Sequence, residues 1–136
     1  MILLDTSACI DYLNGNDALK KIIETREELF HISSITVYEM NIGFERTKRK
    51  ISERRYKQLY KPWMEFIRHM EIFSLGFKEV EKAASIYDAL ESKGQKIDDN
   101  DVLIAGIMLA NGIKRIITRN KEHFKRIEGL EIITYQ

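Results

Sequence analysis

The chain is poor in the residues that cross-link or interrupt a fold. Its 136 residues include one cysteine, Cys9, and one proline, Pro62. A single cysteine excludes an intrachain disulfide, and this usage is typical of a reducing compartment. We interpret Cys9 as a packing residue, because its neighbours are apolar and no histidine lies near it in sequence. Stability must therefore come from a hydrophobic core, and a chain of this length can bury one.

Long apolar runs and an excess of charge of either sign are also missing. No stretch reaches the length of a membrane span, and residues 1–5 have neither the basic start nor the apolar segment of a signal peptide. Lysine and arginine total 22 against 21 acidic residues, for a net charge of +1. The net charge alone therefore says little about whether the chain has a nucleic-acid or membrane partner. We expect a cytoplasmic protein that does not bind membranes.

What the chain does have is a regular alternation of two apolar patterns. Short apolar runs predict strands at 2–5, 30–33, 72–75, 115–118 and 131–134. Helical spacing predicts helices starting near residues 6, 16, 34, 50, 77 and 98, with a turn or short helix at 121–124. Strands that alternate with helices predict one α/β domain over residues 1–136. It would have three layers, with a central parallel sheet of four or five strands between helices.

Local signals add finer expectations. Thr6 or Ser7 is a suitable N-cap for the first helix, and Pro62 predicts a kink or two abutting helices between residues 50 and 70. The helix at 77–92 is expected to bury an apolar face. The members of that face are Val80, Ala83, Ala84, Tyr87 and Leu90.

Four polar residues follow or adjoin the predicted strands. Asp5 comes directly after the apolar strand residues, and Glu39, Asp101 and Asn120 occupy comparable junctions. Parallel α/β sheets bind ligands at the carboxyl ends of their strands. Oxygen ligands suit Mg²⁺, which a few carboxylates hold while water and substrate phosphate complete its shell. The pattern predicts an acidic metal site at which a metal-activated water attacks phosphorus.

Each of these residues also has a structural interpretation. Asp98 can cap the helix at 98–111, and Asp101 can favour the positive end of the same helix. Glu39 alone is compatible with a solvated helix position, and Asn120 alone with a turn. Asp5 is harder to explain structurally, because an aspartate after a buried strand needs a partner or a cation. The metal-site hypothesis depends on all four residues occurring together.

Other site classes fit less well. Residues 98–101 resemble a calcium loop but lack its glycine and its later glutamate. A phosphatase of the haloacid dehalogenase type requires a second aspartate where this chain has Ser7, and no glycine-rich phosphate loop is present. The three histidines have no ligand spacing, and we interpret them as surface or packing residues: His31, His69 and His123.

Four segments of the chain resemble, in order, the motifs of PIN-domain ribonucleases, and most closely those of VapC toxins. The segments are Ile2–Ser7, Ser33–Met40, Asp101–Gly106, and Ile117–Asn120 with Phe124. The resemblance extends from the first predicted strand to the last. It implies a PIN-like fold and an endoribonuclease dependent on Mg²⁺ or Mn²⁺. It further implies the toxin of a type II toxin–antitoxin pair, with a VapB-type antitoxin and a homodimeric state.

The resemblance also implies roles for individual residues. Asp5, Glu39 and Asp101 would bind metal, and Asn120 would occupy a fourth catalytic position where many relatives have aspartate. Two hydroxyl residues and two further acids would support the site: Thr6, Thr118, Asp98 and Asp99. An asparagine at the fourth position weakens the expectation of a second metal ion.

Two basic clusters are candidates for RNA contact. The first is the stretch 46–57, and the second includes Arg119 and Lys121, which flank Asn120. Basic side chains beside an acidic centre can neutralise RNA phosphates, although solvated helix faces are the simpler explanation for the first cluster. Two alternatives to the toxin stay open. One is a PIN-fold module that binds RNA or antitoxin but cleaves weakly, and the other is a metal-dependent phosphomonoesterase.

Overall fold

In a computed structural model that describes residues 1–136, five short strands form one parallel sheet in the order β3-β2-β1-β4-β5. The strands are β1 (Ile2–Leu4), β2 (Phe30–Ser33), β3 (Glu71–Phe73), β4 (Arg115–Ile117) and β5 (Glu131–Ile133). All four pairings are parallel. The predicted parallel sheet is confirmed, although four of the five strands are shorter than the sequence pattern suggested.

Seven helices accompany the sheet. They are α1 (Thr6–Leu13), α2 (Asp17–Thr25), α3 (Ser34–Lys48), α4 (Glu53–Ile67), α5 (Phe77–Ser92), α6 (Asp99–Ala110) and α7 (Lys121–Phe124). None of them combines the length and the apolar character of a membrane span.

The core is divided between the two faces of the sheet. Successive strand residues point to opposite faces, so Leu3 belongs to one buried cluster while Ile2 and Leu4 belong to the other. The Leu3 cluster is completed largely by α5 and α6, and the second cluster by residues of α1, α2, α3 and α4, with Trp63 fully buried in it. Helices therefore cover both faces, which confirms the three-layer arrangement.

The strand order determines where a ligand can bind. From β1 the chain builds outward through β2 to β3, then returns to the other side of β1 to form β4 and β5. The crevice between β1 and β4 is thus the point at which the strand order reverses, where open α/β sheets bind ligands. Leu4 pairs with Ile117 in register, so the residues that follow them, Asp5 and Thr118, lie side by side.

The predicted N-cap of α1 was wrong, and so was the alternative of two abutting helices around Pro62. The N-cap of α1 is Asp5, whose carboxylate accepts the backbone N–H of Ala8, so Thr6 and Ser7 lie inside the helix. Pro62 does not end the helix, because α4 continues through it from Glu53 to Ile67. Pro62 is exposed, so water can bind the carbonyl of Gln58 that loses its helical partner.

The buried face of α5 also differs from the prediction. Ala83 and Leu90 are buried as expected, but Val80 and Ala84 are exposed and Ile86 replaces Tyr87 in the core. The buried face of α5 packs against α6 in one cluster. A Cβ atom placed on Gly106 would lie 2.6 Å from the Cβ atom of Ala83, so the two helices meet at that pair.

Candidate active site

Asp5 occupies the centre of the crevice and is 1% exposed. Its Oδ1 accepts hydrogen bonds from the backbone N–H of Ala8 at 2.9 Å and from the Ser7 hydroxyl at 2.7 Å. Its Oδ2 accepts the Thr118 hydroxyl at 2.5 Å. The carboxylate that caps α1 is therefore also locked in orientation by hydroxyls from both sides of the crevice.

Those hydroxyls are themselves oriented by the chain beyond β4. The backbone N–H of Arg119 donates to Ser7 Oγ at 3.0 Å, and that of Asn120 donates to Thr118 Oγ1 at 2.8 Å. Each hydroxyl thus accepts one bond and has its proton available for Asp5. Hydrogen bonds therefore connect the start of α1 with the turn that leads into α7, and Asp5 lies between them.

Glu39 reaches the crevice from the second turn of α3. Its Oε1 accepts the Thr6 hydroxyl at 2.6 Å. The helix begins at the end of β2, where the Ser33 side chain caps it by accepting the backbone N–H of Thr36. The expected support of the site by Thr6 is thus a direct hydrogen bond to an acidic side chain.

Asp101 enters from the first turn of α6 and is 8% exposed. Its Oδ2 lies 2.7 Å from Nδ1 of His123, which extends from α7. Asp101 is nearly buried and lies near other acids, and His123 gives its carboxylate a hydrogen-bond partner. His123, interpreted from the sequence as a surface or packing residue, lies partly exposed in the lining of the cleft.

Burial and crowding raise the pKa values of both aspartates. Burial is the main cause for Asp5, whose pKa rises to about 6 although three hydrogen bonds oppose the shift and Asp101 adds repulsion. Burial also raises the pKa of Asp101, with His123 opposing the shift and the charges of Asp98 and Glu39 adding to it. The repulsion acting on each aspartate indicates that the acidic side chains lie close enough to influence one another's ionisation.

The side chains form an open cleft of about 350 Å³ in which Ile10 is the one apolar lining residue. The polar lining residues are Asp5, Thr6, Ser7, Glu39, Asp98, Asp101, Arg119, Asn120 and His123. Asp98 and Asn120 stand at the N-cap positions of α6 and α7 without making a side-chain capping bond, so both side chains remain available to the cleft.

Two predicted residues lie elsewhere. Asp99 lines a separate apolar depression between α5 and α6 and does not line the cleft. Lys121 is exposed on α7 and is likewise outside the cleft lining. Asp99 directly follows Asp98, and a step of one residue along a helix turns the side chain by about 100°, away from that of the preceding residue.

The donor set fits a hard divalent cation. In this conformation no three histidine, cysteine, aspartate or glutamate side chains converge closely enough to surround an ion. Mg²⁺ does not require such a cage, since one or two carboxylates with waters and substrate phosphate suffice. The convergence of Asp5, Asp101 and Glu39 on one polar cleft is the observation that favours a cation here. Asp5, Asp101 and Glu39 are the acidic lining residues that come from three different parts of the chain.

Ser7, His123 and Asp11 were not predicted to act at the site. Ser7 could have been found as the second residue after a strand-end aspartate, where a hydroxyl can reach back to the carboxylate. No sequence signal pairs His123 with Asp101, because 22 positions separate them. Asp11 lies on α1 with its Oδ2 3.4 Å from Nε of Arg119, at the edge of the cleft.

Comparisons with known proteins agree with this geometry. The model of the PIN domain family matches residues 2–130. Ribonuclease VapC1 of Rickettsia felis is 30% identical over 134 residues, 98% of this chain and 95% of the relative. Ribonuclease VapC1 of Methanocaldococcus jannaschii is 32% identical over 133 residues, 96% of this chain and 85% of the relative.

Solved structures extend the likeness to three dimensions. VapBC2 from Rickettsia felis, bound to a DNA fragment from its promoter, includes a chain with a TM-score of 0.86 at 28% identity, and the match covers 100% of both chains. DNA-bound VapBC from Salmonella typhimurium includes one with a TM-score of 0.84 at 25% identity, covering 98% of this chain and 96% of that chain. With a family model that spans nearly the whole chain and a 30% identical relative aligned end to end, this chain belongs to the PIN domain family, in its VapC-type branch.

Proposed function

We propose that this chain is the endoribonuclease toxin of a type II toxin–antitoxin pair and hydrolyses RNA phosphodiester bonds. The observation that carries the proposal is the meeting of Asp5, Glu39 and Asp101 from three separate elements in one polar cleft at the strand-order reversal. The VapC ribonucleases and the VapBC complexes to which the chain is similar support it.

The proposed cofactor is Mg²⁺ or Mn²⁺, held by Asp5 and Asp101 with Glu39. When bound, the cation would activate water for attack on phosphorus and neutralise charge on the leaving oxygen. Asn120 would contribute an amide oxygen at the fourth catalytic position. Since an amide carries no charge, this position would support a second ion poorly.

The hydroxyl residues would act on the carboxylates and not on the substrate. Ser7 and Thr118 donate to Asp5, and Thr6 donates to Glu39, so each acid presents a fixed edge to the cleft. Fixed dipoles that favour the ionised acids would keep the site ready for a cation. Asp98, beside Asp101, would strengthen the negative potential, whereas Asp99 faces another depression and is not proposed as a site residue.

Basic side chains would counteract repulsion between this cleft and RNA. Arg119 lines the cleft and is proposed to bind a substrate phosphate, and the exposed Lys121 two residues later would extend the positive surface. Residues 1–136 would act as a single domain in the cytoplasm, where the RNA substrate is found.

The proposed protein partner is a VapB-type antitoxin, because the solved relatives are VapBC complexes. An arginine or lysine of the antitoxin, inserted among the carboxylates, would displace the cation. Exposed apolar side chains on α3 and α4, including Tyr38, Leu59 and Met64, would hold an antitoxin segment. We further propose that the toxin is a homodimer.

Asn120 favours a second candidate, a module that binds RNA or antitoxin but cleaves weakly. Metal-dependent turnover separates the two functions. The purified chain is expected to shorten RNA in Mg²⁺ or Mn²⁺, to stop in excess chelator, and to leave 5′-phosphate and 3′-hydroxyl ends. Asp101→Asn is the matched inactive control.

Other outcomes would contradict the proposal. Cyclic 2′,3′-phosphate ends or full activity in chelator would exclude the metal-dependent mechanism, since they indicate attack by the ribose hydroxyl. Release of inorganic phosphate without shortened RNA would indicate a phosphomonoesterase. RNA binding without turnover would favour the binding module.

A further inference from the structure

Two residues outside the carboxylate cluster form a chain of contacts that ends at Arg119. The Tyr135 hydroxyl, which follows β5, donates to Oδ2 of Asp11 at 2.5 Å. Nε of Arg119 lies 3.4 Å from the same oxygen. The Tyr135 ring packs against the buried cluster that contains Ile2 and Leu4, so one end of the chain is anchored in the core.

Arg119 is therefore fastened to α1 at two points. Its backbone N–H donates to Ser7 Oγ at 3.0 Å, and its side chain is paired through Nε with Asp11, about one turn further along the helix. The Arg119 side chain is 60% exposed, whereas that of Asp11 is 17% exposed. The two terminal guanidinium nitrogens make no hydrogen bond or ion pair within the protein.

The ion pair with Asp11 keeps the guanidinium of Arg119 away from the carboxylates of the cleft. An unrestrained guanidinium beside Asp5, Asp101 and Glu39 would be drawn onto those carboxylates, where it would neutralise them and compete with a cation. Asp11 offers a nearer acid at the edge of the cleft. By engaging Nε, it leaves the planar pair of terminal nitrogens for an incoming group, and that pair matches two oxygens of a phosphate.

We propose that Asp11 and Tyr135 are positioning residues that hold Arg119 at the rim of the cleft, with its terminal nitrogens free to bind a phosphate of the RNA substrate. Tyr135 orients Asp11, Asp11 orients Arg119, and only Arg119 touches RNA. The proposal deepens the proposed ribonuclease function and rests on it for the identity of the substrate.

The sign of one substitution makes the proposal testable. Asp11→Asn removes a negative charge near an RNA-binding cleft, and charge alone predicts tighter RNA binding. A positioning role predicts weaker RNA binding, because Arg119 loses its ion pair with Asp11. The two effects differ in direction, so the sign of the change in RNA affinity separates them.

The experiment measures binding of a fluorescent single-stranded RNA in excess chelator, where no cleavage occurs, and then cleavage kinetics in Mg²⁺. Asp11→Asn is expected to weaken binding about two- to fivefold, the range for a partly exposed charge contact, and to raise KM more than it lowers kcat. Tyr135→Phe keeps the ring and removes the hydroxyl, and should shift both quantities in the same direction by less. Asp88→Asn is the matched control, because Asp88 is an exposed acid on α5 with no ion pair or hydrogen bond.

A double-variant cycle identifies the route. Arg119→Ala should weaken binding at least as much as Asp11→Asn, and adding Asp11→Asn to Arg119→Ala should cause no further loss. Equal or tighter binding by Asp11→Asn, as expected for Asp88→Asn, would overturn the proposal, as would no RNA binding by the wild-type chain. If the wild type binds RNA but does not cleave it, the ribonuclease function fails while the binding series still decides the positioning role.

Discussion

At the scale of single residues, Asp5 combines two roles that conflict. As the N-cap of α1 it satisfies the backbone N–H of Ala8, which stabilises the helix. As a carboxylate 1% exposed to solvent and repelled by Asp101, it is costly to ionise, and its pKa rises to about 6. Ionised Asp5 therefore destabilises the folded protein, and a bound cation would offset that cost.

This conflict predicts a pH-dependent gain from Asp5→Asn. The folded-state pKa of about 6 exceeds the ordinary aspartate value of 3.8, so the folded protein loses stability as pH rises between those values and the full penalty is present above 6. Without metal, Asp5→Asn should increase the free energy of unfolding more at pH 7.5 than at pH 5. The difference between the two gains is expected to be on the order of 2 kcal/mol. Denaturant titrations in chelator at both pH values measure it.

The same variant should abolish cleavage, because an amide preserves the shape of the side chain and removes its charge. Asp88→Asn provides a control with an ordinary exposed acid. A pH dependence of stability identical in the wild type and Asp5→Asn would show that burial does not perturb this carboxylate, and near wild-type cleavage would remove it from the site.

Asn120 allows the opposite test, the addition of a charge. Its side chain lines the cleft and makes no capping bond, so Asn120→Asp would add a carboxylate to the cluster. We expect lower stability without metal, through like-charge repulsion, and severalfold tighter binding of Mn²⁺ by calorimetry. Asn14→Asp, at the far end of α1, is the control. Unchanged Mn²⁺ affinity would place Asn120 outside the metal site.

At the scale of elements, the contact between α5 and α6 determines which faces are buried. A Cβ atom on Gly106 would lie 2.6 Å from Cβ and 2.8 Å from Cα of Ala83, so the helices can approach only because position 106 has no side chain. Since Asp101 is on the first turn of α6, the same contact places this carboxylate relative to the crevice. A change in helix packing should therefore be felt at the site.

A pair of glycine substitutions tests this contact. Gly106→Ala should destabilise the fold by about 1–3 kcal/mol, because backbone atoms of α5 must move. Gly43→Ala, in the exposed part of α3 with no atom near its would-be Cβ, should stabilise it by about 0.5–1 kcal/mol. Chemical denaturation measures both. Similar effects of the two substitutions would contradict the close approach of α5 and α6.

At the scale of the whole molecule, the strand order concentrates the acids while the core stays apolar. β1 lies at the centre of the sheet, and both residues that follow the central pair, Asp5 and Thr118, are buried and polar. The carboxylates are supported by hydroxyls and His123, not by permanent cations, so their charge remains available to a ligand. Such a cleft would have to be inhibited in a cell that contains RNA.

Expression in a bacterial host tests the toxin function as a whole. Induction of the intact chain should arrest growth, whereas Asp101→Asn, expressed to the same level, should not. Co-expression of the VapB-type partner should restore growth to the wild-type culture. Normal growth with abundant, soluble wild-type chain would count strongly against the toxin function.

Local spacing was enough to predict much of the fold. Apolar runs of strand length predicted all five strands, because strand and helix spacing are local properties of the sequence. The alternation of these strands with helices predicted the parallel sheet. The strand-end position of Asp5, with the motifs around Glu39 and Asp101, also predicted a common acidic site, and the structure brings these three side chains to one cleft.

The tertiary structure decided which side chains complete that site. His123 meets Asp101 across 22 positions, and Tyr135 meets Asp11 across 124, pairings that exist only after the helices and strands pack. Asp99 was excluded because α6 directs it toward α5 and away from the cleft. The order of elements and the place of Asp5 directly after β1 could be read from the sequence alone, because strand and helix periods are local properties of the chain. The partners of the acidic side chains depend on distances between elements, which only the packed core defines.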